Sequence, residues 1–273
     1  MFQCFKEKNK YVYHYTSAKV AVEHIIPTNS LKVGRYANTN DPKETKDWRF
    51  SIGSNQGRDL SAIDIEDISM EMTRGLKHQT NVICFSLDRE LTGDHVRDIY
   101  NRGFCKPRMW AQYGGNHSGV CLIFEKDGIE RAILSKFSPT MEIYSGPVTY
   151  RNRSIVPNLS ETPYMINLDY FERFGFEEYV KAHINTHYAR LFFEKCKDWA
   201  TEDEYRWVLF GSKDTDLFFD YKSSLAGVVF GADCTESTIS RIVDKYKGKS
   251  VWFEQLAWNG CSPWFSFRFQ WPQ

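Results

Sequence analysis

The sequence predicts an α+β fold, with strands and helices interspersed rather than alternating as a regular βαβ series. Three observations lead there. Short runs rich in aromatic and β-branched residues, such as Tyr11–Thr16 and Tyr205–Phe210, read as strands. Gly119–Phe124 and Leu225–Phe230 are nearly continuous apolar runs suited to buried central strands. Residues 164–199 carry a helical period, broken near Gly175. No internal repeat or low-complexity tract interrupts the 273 residues, so one domain is expected, with a helical insertion at about 164–199.

Taken in order, the strand Tyr11–Thr16 ends at Ser17, an N-cap for a helix over about Ala18–Ile26 that Pro27 and Asn29 stop. Ser30–Val33 is a short strand. The loop after it contains Asn40-Asp41-Pro42, which places Pro42 at the first position of a helix. Ile63–Leu76 has acids early, bases late, and Ile65, Ile68, Met72 and Leu76 at helical spacing. Asn81–Ser86 reads as a buried strand, Met109–Tyr113 as a short helix stopped by Gly114-Gly115, and Gly128–Leu134 as a helix. Glu142–Ser145 and Pro147–Tyr150 are strands parted by Gly146, and 151–163 a loop. Ser237–Lys245 reads as a helix and Ser250–Glu254 as a strand. The end alternates Trp264, Ser266 and Arg268 against Phe265, Phe267 and Phe269, as an edge strand would.

Composition narrows the function classes. Lys+Arg and Asp+Glu both number 35, which argues against a uniformly basic nucleic-acid or membrane-surface binder. Any such contact would be local, at edges such as Arg35, Lys43, Lys46 and Arg49, or Arg151 and Arg153. The seven cysteines (Cys4, Cys84, Cys105, Cys121, Cys196, Cys234, Cys261) form no C-x-x-C pair, and Met1–Lys10 is charged. Reduced thiols, a cytoplasmic setting and no membrane partner are therefore expected.

The most charged junction is Lys197–Phe210, where a helical run ends near Trp199 and a strand begins at Tyr205. Between them stand Glu202, Asp203 and Glu204. Alternation puts Glu202, Glu204 and Arg206 on one face and Asp203, Tyr205 and Trp207 on the other. Two readings stand level. One is a solvated acidic turn with a local ion pair. In the other, a glutamate stabilises developing positive charge or accepts a proton, while Arg206 orients it, pairs with Glu202 or reaches a phosphate.

Other chemistry is weakly marked. His183 and His187 have zincin spacing, but Ile184 stands where the general-base glutamate belongs, so ordinary helix-face or core histidines and no metal are expected. No Rossmann or P-loop glycine pattern is present. Ser86 lacks a nucleophile elbow, and Cys84 and Cys121 read as core thiols. Taken alone, His14 reads as a core histidine and Asn40-Asp41-Pro42 as a turn.

Together these pieces say more. Tyr13-His14-Tyr15-Thr16, Asn40-Asp41-Pro42 with Glu44, Cys84-Phe85-Ser86, Met109-Trp110-x-x-Tyr113-Gly114, His117-x-Gly119-x-Cys121 and Lys195-x-x-x-Trp199-x-x-Glu202-x-Glu204-x-Arg206 resemble a large bacterial family with a domain of unknown function. The resemblance runs from about Tyr11 to Phe230. The layout also resembles the ADP-ribosyltransferase superfamily, including its toxins. That resemblance implies a split, mostly antiparallel sheet with flanking helices, and NAD as the bound cofactor and substrate. It implies cofactor contacts from His14, Tyr15, Thr16, Asn40, Asp41, Ser86 and Tyr113, with His14 on the adenosine-side ribose and Tyr113 stacked on nicotinamide. Glu204 would be the catalytic acid, with Glu202 its companion and Arg206 in support. Thr16 stands where polymerases commonly carry glycine, and Trp110 where they often place a carboxamide-binding serine. The expected activity is transfer of ADP-ribose to an RNA, DNA or protein acceptor, as a bacterial toxin or defence effector with a possible antitoxin partner. Two alternatives are a non-catalytic nucleotide sensor in a defence system and a metal-dependent nuclease built on Asp41, Glu44, Glu202 and Glu204.

Overall fold

Apolar alternation on the strands explains why a large sheet forms and why helices cover both of its faces. The structure is a computed structural model, and it describes residues 7, 9–94, 96–153, 161–212, 215–266 and 269. Cys4, Phe267, Arg268 and residues 154–160 of the expected loop lie outside these. The architecture is mixed α+β around a ten-stranded sheet. In chain order the strands are β1 Tyr11–Thr16, β2 Ser30–Arg35, β3 Ser51–Gly53, β4 Thr80–Ser86, β5 Val120–Glu125, β6 Glu142–Pro147 and β7 Thr149–Tyr150. They continue as β8 Met165–Asn167, β9 Glu194–Lys195, β10 Glu204–Phe210, β11 Leu217–Asp220, β12 Leu225–Phe230, β13 Trp252–Asn259 and β14 Ser262–Phe265.

The sheet runs β11-β2-β4-β1-β5-β12-β13-β14, with β10 on β4 and β6 on β10. Every pairing in it is antiparallel except β12 with β13. The strand β4 organises the site. One of its edges is fully paired with β10, from Glu204↔Ser86 to Phe210↔Thr80. Its other edge is shared. It pairs with β2 at Asn81 and Val82, and with β1 only at Ser86. Between those registers Ile83, Cys84 and Phe85 have no strand partner on that edge, so β1 and β2 part there.

Alternation then divides the core. Ile83 and Phe85 of β4, Trp207 and Leu209 of β10, and Val12 of β1 face one continuous core. On the opposite face, Val82, Val208 and Phe210 join a core with the helices Ile65–His78 and Phe176–Phe192. Tyr13, Tyr15, Cys121 and Val229 join another with the helix Pro107–Gln112. A concavity opens where β1 and β2 part, bordered by residues of both faces, Tyr13, Tyr15 and Val82 together with His14, Ile83 and Phe85.

Several expectations hold residue for residue. Tyr11–Thr16 and Leu225–Phe230 are strands with the expected ends. Ser17 caps its helix by accepting from Val20 N; the helical segment runs through Pro27 to Thr28, two residues past the expected end, and Asn29 closes it at φ 51°, in the left-handed region asparagine tolerates. The segment includes a π-helical stretch, Ala21–Ile25, that nothing local foretold. Gly175, at φ 78°, parts the helices Leu168–Phe174 and Phe176–Phe192. The end of that helical run differs from expectation. The helix stops at Phe192, β9 follows, and Lys197–Glu202 is a 3-10 turn. β9 pairs with β7, a distant partner invisible to local periodicity.

His183 is a core histidine. Its Nε2 lies 3.0 Å from the Pro163 carbonyl oxygen, and its ring stacks on Tyr179. Burial pushes its pKa down to about 4 from 6.5. Above pH 6.5 the ring is neutral folded or unfolded; below it the unfolded chain takes up a proton that the folded one refuses. Stability is therefore expected to fall by roughly 3 kcal/mol between pH 6.5 and 4, and His183→Gln to flatten that slope. Urea unfolding across this range reads it. A wild-type curve no steeper than the variant's would contradict it.

Candidate active site

The three consecutive acids escape mutual repulsion because each meets a cation. Asp203 sits at φ 44° between the 3-10 turn and β10, and pairs with Arg89 Nε at 2.8 Å and with Lys106 Nζ. Glu202 and Glu204 turn inward and are 2% and 3% exposed. The solvated-turn reading therefore fails here. Lys195 Nζ joins the two, at 3.0 Å from Glu202 Oε2 and 2.7 Å from Glu204 Oε2.

Arg206 lies beneath them, fully buried. Its Nε donates to Glu204 Oε1 at 2.6 Å, and its Nη1 donates to Glu44 Oε1 at 2.7 Å and to the Phe192 carbonyl oxygen at 2.8 Å. The expected pairing with Glu202 does not form, because Glu202 precedes the strand and Asp203 turns the chain between them. Nor does the guanidinium line the cavity, where a phosphate contact would require it.

The cluster holds three carboxylates, Glu44, Glu202 and Glu204, against two cations, Lys195 and Arg206. Burial opposes ionisation of Glu204, but the charges of Arg206 and then Lys195 outweigh it and hold the carboxyl well below the usual range. Burial pushes Glu202 up, only partly offset by Lys195, and the nearby Glu204 charge adds to the rise. Burial likewise opposes the Lys195 charge, yet Glu204, Glu44 and Glu202 raise its pKa. The two glutamates are thus driven apart in acidity, which is how neighbouring carboxyls acquire different tasks.

These groups open onto a cavity of about 310 Å³ at the parting of β1 and β2. His14, Tyr15, Asn40, Ser86, Tyr113, Glu202 and Glu204 all line it, as do Glu44, Cys84 and Lys195. His14 and Glu204 thus face one space. Burial lowers the His14 pKa, so the ring is neutral near pH 7. Its Nδ1 lies 3.3 Å from the Cys84 carbonyl oxygen, which only accepts, so Nδ1 carries the proton and Nε2 remains an acceptor. Tyr113, at the end of the helix Pro107–Gln112, donates to Glu202 Oε1 at 2.9 Å. Ser86 Oγ and Thr39 Oγ1 are buried with no hydrogen-bond partner among the described residues, and both line the cavity.

Other expected residues serve the frame. Thr16 and Asp41 do not line the cavity. Asp41 Oδ1 instead accepts from Lys43 N at 2.9 Å and caps the helix Pro42–Thr45. Tyr15 borders the cavity, but its hydroxyl donates to the Gly103 carbonyl at 2.7 Å and accepts from Lys106 N at 3.2 Å. Cys84 borders the cavity as well, so it is not wholly a core thiol; burial and then Glu204 push its pKa up.

Lys195 is the residue that sequence reasoning passed over. It stands in the motif Lys195-x-x-x-Trp199-x-x-Glu202, yet only the β9–β7 pairing turns it onto both glutamates. Among the described residues, no group of three or more His, Cys, Asp or Glu side chains is arranged to hold a metal ion. No helix there is long and apolar enough to cross a membrane.

Residues 109–207 match a family described as a protein of unknown function, DUF2971. The match takes in Tyr113, Lys195, Glu202, Glu204 and Arg206. It is narrower than the Tyr11–Phe230 resemblance expected, leaving His14, Asn40 and Ser86 outside. No curated protein and no solved structure matches the chain.

Proposed function

We propose that the protein is an NAD-dependent ADP-ribosyltransferase. The observation that carries this reading is the surplus negative charge of the buried cluster, three carboxylates to two cations, with Glu44, Glu202, Glu204 and Lys195 all lining one cavity. Such a site favours a ligand that becomes cationic. Cleavage of the nicotinamide–ribose bond builds positive charge on the sugar carbon, and a carboxylate beside it stabilises that charge, as in glycoside hydrolysis.

In this reading the chain's residues divide the work. Glu204, held ionised by Arg206 and Lys195, faces the sugar carbon as its bond to nicotinamide breaks and nicotinamide leaves with the bonding pair. Glu202, with its raised pKa, takes the proton released as the acceptor atom bonds that carbon. His14 Nε2 accepts from a ribose hydroxyl at the far end, and Ser86 and Thr39 supply further hydroxyl partners. Tyr113 holds Glu202 in place and offers its ring to the nicotinamide. At about 310 Å³ the cavity is near the lower end of ligand pockets, roughly 300–1,000 Å³, so part of a dinucleotide would lie outside it. The parting of the sheet at β4 is the feature that the transferase-like fold would use.

Purified protein is expected to release nicotinamide from NAD. Mass spectrometry of RNA, DNA and protein after expression is expected to find added ADP-ribose, and its absence together with no nicotinamide release would remove the assignment.

A second reading, a nucleotide sensor without chemistry, draws on Lys195, which occupies both glutamates at hydrogen-bond distance. Calorimetric NAD binding without nicotinamide release would favour it. The nuclease reading has less support. Asp41 is committed to a helix cap, and each of the other three acids already pairs with Arg206 or Lys195. A toxin or defence role rests on resemblance alone; growth arrest by wild type but not by Glu204→Ala is its test.

A further inference from the structure

A second cavity, of about 370 Å³, lies beside the first, and Lys195 lines both. Seven lysine and arginine side chains line it against two carboxylates, Asp47 and Glu194. In a chain of balanced charge this is a pronounced local excess. Glu194 is already shared, by Arg190 Nη1 at 2.5 Å, Arg153 Nε at 3.0 Å and Lys43 Nζ at 4.0 Å. Lys46, Arg49 and Arg151 are exposed on the rim and form no ion pair among the described residues. The crowding shows in Lys43, which burial and then the neighbouring Arg190 charge push down to about 8.

Like charges gathered around a concavity repel one another, and a bound polyanion removes that cost. Position then bears on which anion. His14 lines the first cavity and not the basic one, which meets the first at Lys195, beside Glu202 and Glu204. A dinucleotide gripped by His14 and presenting its reacting carbon to Glu204 therefore leaves the basic cavity on the acceptor's side.

We propose that this cavity binds the backbone phosphates of a nucleic acid, which makes a polynucleotide the acceptor. The acceptor assignment rests on the transferase reading, whereas the phosphate site does not. The same chemistry would also suit the dinucleotide's own diphosphate, so the test separates the two sources.

Binding of a short fluorescein-labelled single-stranded RNA to the full chain, followed by anisotropy across a salt series, is the experiment. Three unpaired cations on phosphates predict a log–log salt slope of about −2, at about 0.7 per phosphate on a single strand. Arg49→Glu with Arg151→Glu is expected to weaken binding at least tenfold and make the slope shallower by about 1.4. Both side chains are exposed, so an unchanged circular dichroism spectrum and melting temperature control for folding. Nicotinamide release without acceptor should not change. Equal RNA binding by wild type and variant overturns the proposal. So does pyrophosphate binding to a protein that binds no RNA, which would give the cavity to the dinucleotide. RNA binding that is lost on charge reversal, in a protein that releases no nicotinamide, would remove the transferase reading and leave the phosphate site standing.

Discussion

Arg206→Met is expected to lower stability by about 3–5 kcal/mol, the cost of leaving a buried charge without its partner. The guanidinium is fully buried and holds Glu204, Glu44 and the Phe192 carbonyl together. Methionine fills much of the space but answers none of these acceptors. Among the described residues Glu44 loses its ion-pair partner outright, and Glu204 keeps Lys195 as its remaining ion-pair partner. At roughly 2–4 °C per kcal/mol for a chain near this size, the melting temperature should drop by about 10 °C. Thermal unfolding reads this directly, and a shift within 2 °C or so of wild type would contradict it. Adding Glu44→Gln should recover part of the loss, because the stranded carboxylate is its main cause.

The pH dependence follows with a defined sign. Glu204 is held below its ordinary value of 4.5, so the stability it supplies is present above pH 4.5 and is lost as pH falls toward the folded-state value. Without Arg206 that acid-side loss should be shallower.

Glu204→Gln is expected to lower the rate of nicotinamide release by about 10²–10³, as when one preorganised charge partner of a transition state is removed. The amide still accepts from Arg206 Nε, and its loss of charge leaves two carboxylates facing two cations. It should therefore cost the fold less than Arg206→Met does. A lower kcat with a smaller fall in melting temperature than Arg206→Met gives is the expected pattern. Turnover equal to wild type would show that Glu204 does no chemistry. Glu202→Gln should act differently, lowering kcat and removing the limb of the pH–rate profile that reports the raised Glu202 pKa.

Local signals carried much of this fold. Aromatic and β-branched runs located β1, β4, β5, β10 and β12, and Ser17 as a cap and Pro42 as a first-position proline located helix starts. What failed was non-local. Residues 193–199 look helical because apolar Phe193 continues the run and Arg190 and Glu194 are four apart. Pairing with β7 makes a strand of Glu194–Lys195 instead, and that pairing delivers Lys195 to the glutamates. The strand β11, which pairs with β2, gave no strong alternation of its own and was not anticipated. The partner of Arg206 was misjudged for a related reason. Sequence proximity suggested Glu202, whereas the buried guanidinium reaches Glu44, 162 residues away.

The most direct test of the central claim is a crystal structure of the Glu204→Gln variant with NAD. The nicotinamide-bearing ribose carbon is expected beside residue 204, and a hydroxyl of the adenosine-side ribose within hydrogen-bond reach of His14. NAD bound away from this cavity, or bound in it without touching either end, would contradict the account.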